Sequence, residues 1–376
     1  MGKIILDDIF NAIKIIQKDL PKSKLRKEFL KKLNFGDKFL LPIKVKQNIP
    51  PYNQSSMDGI GVKKKKKKYK IKGTTKLNIY KKFNLKDDEC IVVKTGSLIP
   101  DNIKYIIPIE RLFKYKKEFH VIEYNFEKDF IRIKGHIFKK GQLINPRNKE
   151  LSLKDFISLK SINNIQVKVL PKISFKIIST GSEFDRNHFI YPTNAEYIDH
   201  FIRQNNHIVK SCIHLKDNQN KIIREIKKYD CDITIVIGGT GKSKDDINFD
   251  RFNLKINGLD LKPGRPFKYL YEKSKIVLFF PGNPTSSFVL TNILLKSIFN
   301  YNKGQTHLTN KKIKIKDIDY DFSKLQRKSF LFANITNKKI KVFSNQESSN
   351  FNNIINSNCL IYYDKTSNLR MFYLDD

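Results

Sequence analysis

The chain has 376 residues, enough for two or more domains with cores that need no disulfide or metal staple. Hydrophobic residues make up 40% and aromatics 12%, which excludes a wholly disordered chain. Its 73 basic and 37 acidic side chains give a formal charge of +36, which invites a nucleic-acid-binding reading. A second reading of that charge is compositional. Only eleven of the 73 basic residues are Arg, and Ala12, Ala195 and Ala333 are the only alanines. An adenine- and thymine-rich coding sequence favours such a chain, whereas a phosphate-reading surface draws on Arg for its bidentate fork. Coding drift therefore explains the charge better than nucleic acid does. Cys90, Cys212, Cys231 and Cys359 form no C-x-x-C pair, so no zinc or Fe–S site is expected. Residues 1–5 lack a signal-peptide pattern and no run of about 18 apolar residues occurs. A soluble cytoplasmic protein with no membrane partner is expected.

In chain order, Asp7 can cap a first helix, in which Ile9, Phe10, Ile13 and Ile16 recur at helical spacing up to Pro21. From Asp37 to Gln142, short alternating runs such as 70–72, 90–93 and 130–133 sit between Gly, Pro and Asn, and read as all-β. The six lysines 63–68 read as a solvated loop or edge strand better than as a polyanion patch. Ser152-Leu153-Lys154-Asp155 resembles a capping box. Beyond Lys172 strands and helices alternate. Strands are expected at 173–179, 208–213, 232–237 and 275–280, and helices at 194–205, 218–228 and from 285 to about 300. That alternation describes a parallel α/β sheet. Residues 311–373 return to β-like alternation.

The chemistry is carried by loops at strand ends, where α/β proteins place ligands. Pro50-Pro51-Tyr52-Asn53-Gln54-Ser55-Ser56-Met57-Asp58-Gly59 presents Asp58, either outward as a carboxylate or locally as an Asx-turn residue. Lys94-Thr95-Gly96-Ser97 offers hydroxyls and a bare amide, although any hairpin could hold it. Ser179-Thr180-Gly181-Ser182-Glu183 and Gly238-Gly239-Thr240-Gly241 let backbone N–H groups approach an anion, or are tight connections. Leu261-Lys262-Pro263-Gly264-Arg265-Pro266 sets two cations in a rigid frame suited to phosphate or an oxyanion. Pro281-Gly282-Asn283-Pro284 leads into a helix whose first residues, Thr285, Ser286 and Ser287, suit an anion. Amides and cations suffice to bind a phosphorylated ligand; the carboxylates are needed if Mg²⁺ is to bridge phosphate oxygens.

These motifs, in this order, resemble the molybdopterin molybdenumtransferase family, the MoeA and gephyrin E-domain proteins, along essentially the whole chain. The resemblance implies insertion of molybdate into adenylated molybdopterin with release of AMP and with Mg²⁺. It implies α/β plus β architecture: an N-terminal linker domain at 1–36 and 143–171, an inserted β domain at 37–142, a three-layer α/β molybdopterin-binding domain at 172–305 and a C-terminal β domain at 306–376. It also implies a homodimer, in which Asp58 and Thr95 of one subunit meet the glycine loops of the other, and a molybdopterin adenylyltransferase as partner. Carried over by motif, Asp58, Thr95, Glu183, Asp246, Lys262 and Arg265 are catalytic. Gly238, Gly239, Thr240, Pro281, Gly282, Asn283 and Ser286 bind the pterin, and Asp58, Glu183 and Asp246 hold the metal. Three departures stand out. Arg265 replaces a lysine, Ser182 replaces an aspartate, and Gly238-Gly239-Thr240-Gly241 lacks the family's serine and second glycine. The last is closer to molybdopterin adenylyltransferases, so adenylyl transfer or binding without turnover are the alternatives. Ser349 is the counterpart of a C-terminal serine.

Overall fold

The computed structural model describes all residues except 1–5, 22–25, 34–36, 38–42, 124–127, 145–150, 163–165, 182–192, 242–245, 303–307, 338, 348–349, 367 and 375–376. The chain divides into two compact units, residues 1–26 with 170–376, and residues 27–169.

In the first unit, helix α1 (Ile9–Asp19) is capped by Asp8, one residue later than the expected Asp7; the Asp8 carboxylate accepts from the Phe10 N–H at 2.9 Å. Eleven residues rarely hold a helix alone. Burial of Ile9, Ile13 and Ile16 supplies about 5–9 kcal/mol as an upper estimate, and that packing fixes it. The central elements are β1 (Ser174–Thr180), α2 (Thr193–Gln204), β2 (Ile208–Leu215), α3 (Gln219–Ile226), β3 (Ile233–Ile237), β4 (Leu254–Asn257), β5 (Lys268–Glu272) and β6 (Lys275–Phe280). They form one sheet in the order β2-β1-β3-β6-β5-β4. The first four strands are parallel, as the alternation implied. The sheet is mixed rather than wholly parallel, because β5 and β4 run antiparallel. The reason lies in a two-residue turn, Lys273-Ser274, with φ of +51° and +58°. Such hairpins ordinarily announce themselves through Asn or Gly, and this one does not.

The helix α4 (Pro284–Leu290) continues through a π-helical turn, Thr291–Leu295, into α5 (Lys296–Asn302). Alternate strand residues face opposite sides. Phe175, Ile177, Ile235 and Leu278 pack with α1, α2, α4 and α5, while Ile178, Val236 and Phe279 pack with α3. The result is three layers. A second sheet follows, of β7 (Lys311–Lys314), β8 (Ser329–Thr336), β9 (Lys339–Val342), β10 (Cys359–Tyr363) and β11 (Asn368–Tyr373), antiparallel in the order β7-β11-β10-β8-β9. Phe330, Phe332, Leu360 and Tyr362 face the α/β core, and Leu331, Ala333 and Ile361 form a core of their own. The short helix Phe351–Asn356 interrupts the expected β alternation.

The second unit holds a six-stranded sheet in the order Tyr105–Pro108, Gly59–Val62, Glu89–Val93, Lys68–Thr74, Glu118–Val121, Leu112–Tyr115. Only Lys68–Thr74 with Glu89–Val93 is a parallel pair. Period-2 strands bury Ile60, Val62 and Cys90 on one face and Ile91, Val93 and Ile106 on the other. The Ser152–Asp155 capping box forms as expected and opens the helix Leu153–Ser161, whose Leu159 packs with Ile43, Val45, Val167 and Val169. Among the described residues, no helix is long and apolar enough to cross a membrane.

Candidate active site

The strands β1, β3 and β6 are adjacent and parallel, so their C-terminal ends leave the sheet at one edge. Three of the sequence motifs meet there. Gly238 donates its N–H to the Phe280 carbonyl at 3.0 Å, and the Thr180 hydroxyl donates to the Ile237 carbonyl at 3.2 Å. A Cβ on Gly238 would lie 2.7 Å from the Thr180 hydroxyl and 2.9 Å from the Thr180 carbonyl oxygen, and its φ is +95°. No other residue fits that position without moving backbone. Gly282 lies beside it, where a Cβ would stand at ordinary contact distance, 3.5 Å, from the Gly238 Cα. Gly239 follows with φ of +62°, and Thr240 is buried. Bare backbone is thus presented at a parallel-sheet edge, the arrangement that lets amides approach an anion.

Asn283 caps α4 by accepting from the Ser286 N–H at 3.2 Å and from the Thr285 hydroxyl at 2.9 Å. The Ser287 hydroxyl donates to the Pro281 carbonyl at 2.8 Å. All three hydroxyl residues are buried, so those of Thr285 and Ser287 brace the turn instead of facing a ligand as the sequence suggested. Asn194, which motif spacing did not single out, donates to the Gly282 carbonyl at 2.7 Å and ties α2 to this loop. Asp246 lies beside the glycine loop: its carboxylate accepts from the Gly241 N–H at 3.1 Å, and Ile247 returns to the Gly239 carbonyl at 3.0 Å. Glu183 and Ser349 lie outside the described residues.

The cation loop enters β5 at the same edge, because Lys268 at the start of β5 pairs with Phe279 near the end of β6. Lys262 and Arg265 are both exposed, and among the described residues neither makes an ion pair. The loop is closed by a Leu259 N–H bond to the Arg265 carbonyl at 3.0 Å, with Gly264 at φ of +119° and a cis Lys262–Pro263 bond. Its outer side is fixed by β8: Lys262 donates to the Lys328 carbonyl at 3.0 Å and Phe330 donates to that of Lys262 at 2.9 Å. The basic residues Arg327 and Lys328 therefore stand next to this loop, a neighbourhood that the long intervening sequence, residues 266–326, conceals.

In the second unit, Asp58 and Thr95 are in direct contact. One carboxylate oxygen of Asp58 accepts from the Thr95 N–H at 2.6 Å and from its hydroxyl at 2.8 Å. Asp58 is not a self-contained Asx turn, since its carboxylate reaches across to the other motif. The Thr95 amide, then its hydroxyl, with the charge of Lys94 behind them, hold the Asp58 carboxyl below the usual carboxylate range. The two loops are laced by Gly96 N–H to Ser55 carbonyl at 2.8 Å, Ser55 N–H to Ser97 carbonyl at 3.0 Å and Ile99 N–H to Asn53 carbonyl at 2.8 Å. Tyr52 stacks on Tyr80 with ring centroids 4.1 Å apart. The lysine run is solvent-facing and partly neutralised, by Lys64 with Asp87 at 2.8 Å and Lys68 with Glu118 at 2.7 Å.

Among the described residues, no three His, Cys, Asp or Glu side chains cluster as a metal site. Asp58 and Asp246 belong to different units. The carboxylate oxygens themselves are hard donors of the kind Mg²⁺ takes, and at each acid one of them is already held by a main-chain N–H, of Thr95 at Asp58 and of Gly241 at Asp246.

Sequence profiles of two domain families match the chain: "MoeA N-terminal region (domain I and II)" over residues 10–162 and "Probable molybdopterin binding domain" over residues 176–300. The chain belongs to the MoeA family. It is 25% identical over 302 residues to the molybdopterin molybdenumtransferase of Synechocystis, covering 74% of this chain and 77% of that protein. It is 24% identical over 371 residues to the molybdenum cofactor synthesis protein cinnamon of Drosophila melanogaster, covering 86% of this chain and 58% of that one. The fold is that of the MoeA protein of Pyrococcus horikoshii, with a TM-score of 0.76 at 18% identity over the whole of both chains. The MoeA-type α/β plus β architecture that the resemblance implied is therefore the observed one.

Proposed function

We propose that this MoeA-family protein is a molybdopterin molybdenumtransferase of molybdenum cofactor biosynthesis, inserting molybdate into adenylated molybdopterin with release of AMP in a Mg²⁺-dependent reaction. The observation that carries this reading is the convergence of Thr180-Gly181, Gly238-Gly239 and Pro281-Gly282-Asn283 at one sheet edge, beside a loop bearing two exposed cations. In this reading the bare amides around Gly238, Gly239 and Thr240 take the phosphate end of the pterin, with the Pro281–Ser286 turn as its wall. Lys262 and Arg265 take molybdate, Arg265 through a fork that a lysine cannot offer. Asp246 and Glu183, with Asp58, would hold Mg²⁺, which when bound neutralises charge building on the phosphate oxygens. The two Thr95 donors hold Asp58 ionised and weakly basic, so it orients a reacting water without taking its proton. The protein acts as a homodimer, with a molybdopterin adenylyltransferase supplying its substrate.

The test supplies preformed adenylated molybdopterin, molybdate and Mg²⁺ to the purified protein. AMP release that depends on molybdate is the expected result. Consumption of ATP with unadenylated molybdopterin would instead make it an adenylyltransferase. Tight binding of the adenylate without turnover would make it a binding protein. Sedimentation equilibrium checks the homodimer.

A further inference from the structure

The cation loop is held from two sides by segments that are far apart in sequence. On one side the main chain of Asp7 pairs with it: Asp7 donates to the Gly258 carbonyl at 3.2 Å and the Asp260 N–H donates to the Asp7 carbonyl at 2.9 Å. On the other side lies the start of β8, through the paired bonds of Lys262 with Lys328 and Phe330. The next residue along from Asp7 joins the two sides. One oxygen of the Asp8 carboxylate caps α1, and the other accepts from Lys328 Nζ at 2.7 Å and from the Tyr362 hydroxyl at 3.2 Å. Asp8 and Lys328 are both partly buried, with 31% and 28% of their side chains exposed, so water screens this pair less than it does a surface pair.

A ring of bonds therefore runs from the loop to β8, along the Lys328 side chain to Asp8, through the main chain to Asp7, and back to the loop at residues 258–260. Gly258 lets the ring close tightly, since a Cβ there would lie 2.8 Å from the Leu6 side chain and 3.3 Å from the Arg265 carbonyl oxygen. Nothing else in the ring is a long, flexible contact. The Asp8–Lys328 pair is the one link made by side chains alone, and it is the link a single substitution can open.

We propose that Asp8, through Lys328, is a positioning residue that fixes the Lys262–Arg265 loop for its oxyanion, an inference that rests on the functional reading above. Asp8 touches no substrate itself. A pair that only stabilised α1 would act on folding alone. A pair that closes this ring acts on the two cations, and so on affinity for the oxyanion.

The test measures AMP release against molybdate concentration for the wild type, Asp8→Asn, Lys328→Met, the double variant and Asp7→Asn. Asparagine keeps the capping oxygen, so α1 stays capped while the ion pair is lost. Each single variant is expected to raise KM for molybdate roughly tenfold with kcat changed by less than about twofold, and the double variant to be no worse than the worse single one. Asp7→Asn makes the same charge change one residue away and is expected to leave KM unaltered. Wild-type KM in both Asp8→Asn and Lys328→Met would overturn the inference. A second readout needs no turnover. The Lys262 and Phe330 amides are expected to exchange with solvent about tenfold faster in Asp8→Asn than in wild type or Asp7→Asn; equal exchange would overturn the inference as well. If the wild type releases no AMP while the amides respond as stated, the functional reading has failed and the positioning role stands.

Discussion

Gly59 and Gly238 both sit in motifs that spacing alone would class together, yet the structure needs them for different reasons. Gly59 opens a strand in the β unit, where a Cβ would lie 2.0 Å from the Ile107 carbonyl oxygen of the neighbouring strand. It is required by the sheet. Gly238 lies just past a strand in the α/β unit, where a Cβ would strike Thr180 at the edge that presents bare amides. It is required by the loop. The chemistry beside each differs accordingly. Next to Gly59 an exposed carboxylate is held by donors from a second loop, so a side chain is what that site presents. Around Gly238 it is bare backbone that is presented. A glycine in a motif is thus evidence of close approach, and only the structure says whether the approaching group is a strand or a ligand.

Four substitutions can break or sharpen this contrast. The largest effect is expected from Gly59→Ala, which should destabilise the β unit by about 3–5 kcal/mol, because a strand must separate. Urea denaturation checks it, and near-wild-type stability would remove the steric argument. Gly238→Ala should cost about 2–4 kcal/mol, from positive φ and the Thr180 contact together, and should also abolish substrate binding. A folded Gly238→Ala protein that binds normally would show that the loop does not face the ligand.

Thr95→Val should change stability by about 1 kcal/mol or less and leave its effect in the pH profile instead. Asp58 has a depressed pKa, so it stays charged until the pH falls through that lowered value. Losing the Thr95 hydroxyl raises the pKa back toward the ordinary range. The acid limb of kcat/KM should therefore move to higher pH, while the Thr95 amide preserves part of the original shift. An unmoved acid limb would take Asp58 out of the reaction. The smallest effect is expected from Lys64→Met, no measurable change in stability and unchanged AMP release, since its pair with Asp87 is exposed. A large loss of activity there would restore a functional reading of the lysine run.

Much of this was legible in the chain, and the failures have physical causes. The Ser152–Asp155 capping box was readable because it is a local hydrogen-bond pattern. Three of the four parallel strands were readable because buried apolar runs end at Gly181, Gly238 and Pro281; the fourth, Ile208–Leu215, showed through its alternation of exposed and covered residues. The antiparallel pair β4 and β5 was hidden, because Lys273-Ser274 adopts a hairpin conformation without the residues that favour it. The inward turn of Thr285 and Ser287 was hidden too, since a hydroxyl's direction depends on which carbonyl or side chain the tertiary fold brings near. The Asp58–Thr95 contact spans 37 positions and the Asp8–Lys328 pair spans 320, so neither has any spacing signature. The high charge was the most visible feature and tells least about the site. Of its many cations, Lys262 and Arg265 are distinguished by the frame that holds them.

The central claim is that the edge built by Thr180, Gly238 and Gly282 binds the anionic pterin substrate. Equilibrium binding of adenylated molybdopterin to wild type, Gly238→Ala and Lys64→Met, side by side at one salt concentration, tests it most directly. The account predicts saturable binding by wild type and Lys64→Met, with affinity at least about a hundredfold lower for folded Gly238→Ala. Equal affinity for all three proteins, falling together as salt is raised, would mean that the +36 charge and not the sheet edge holds the ligand, and would contradict it.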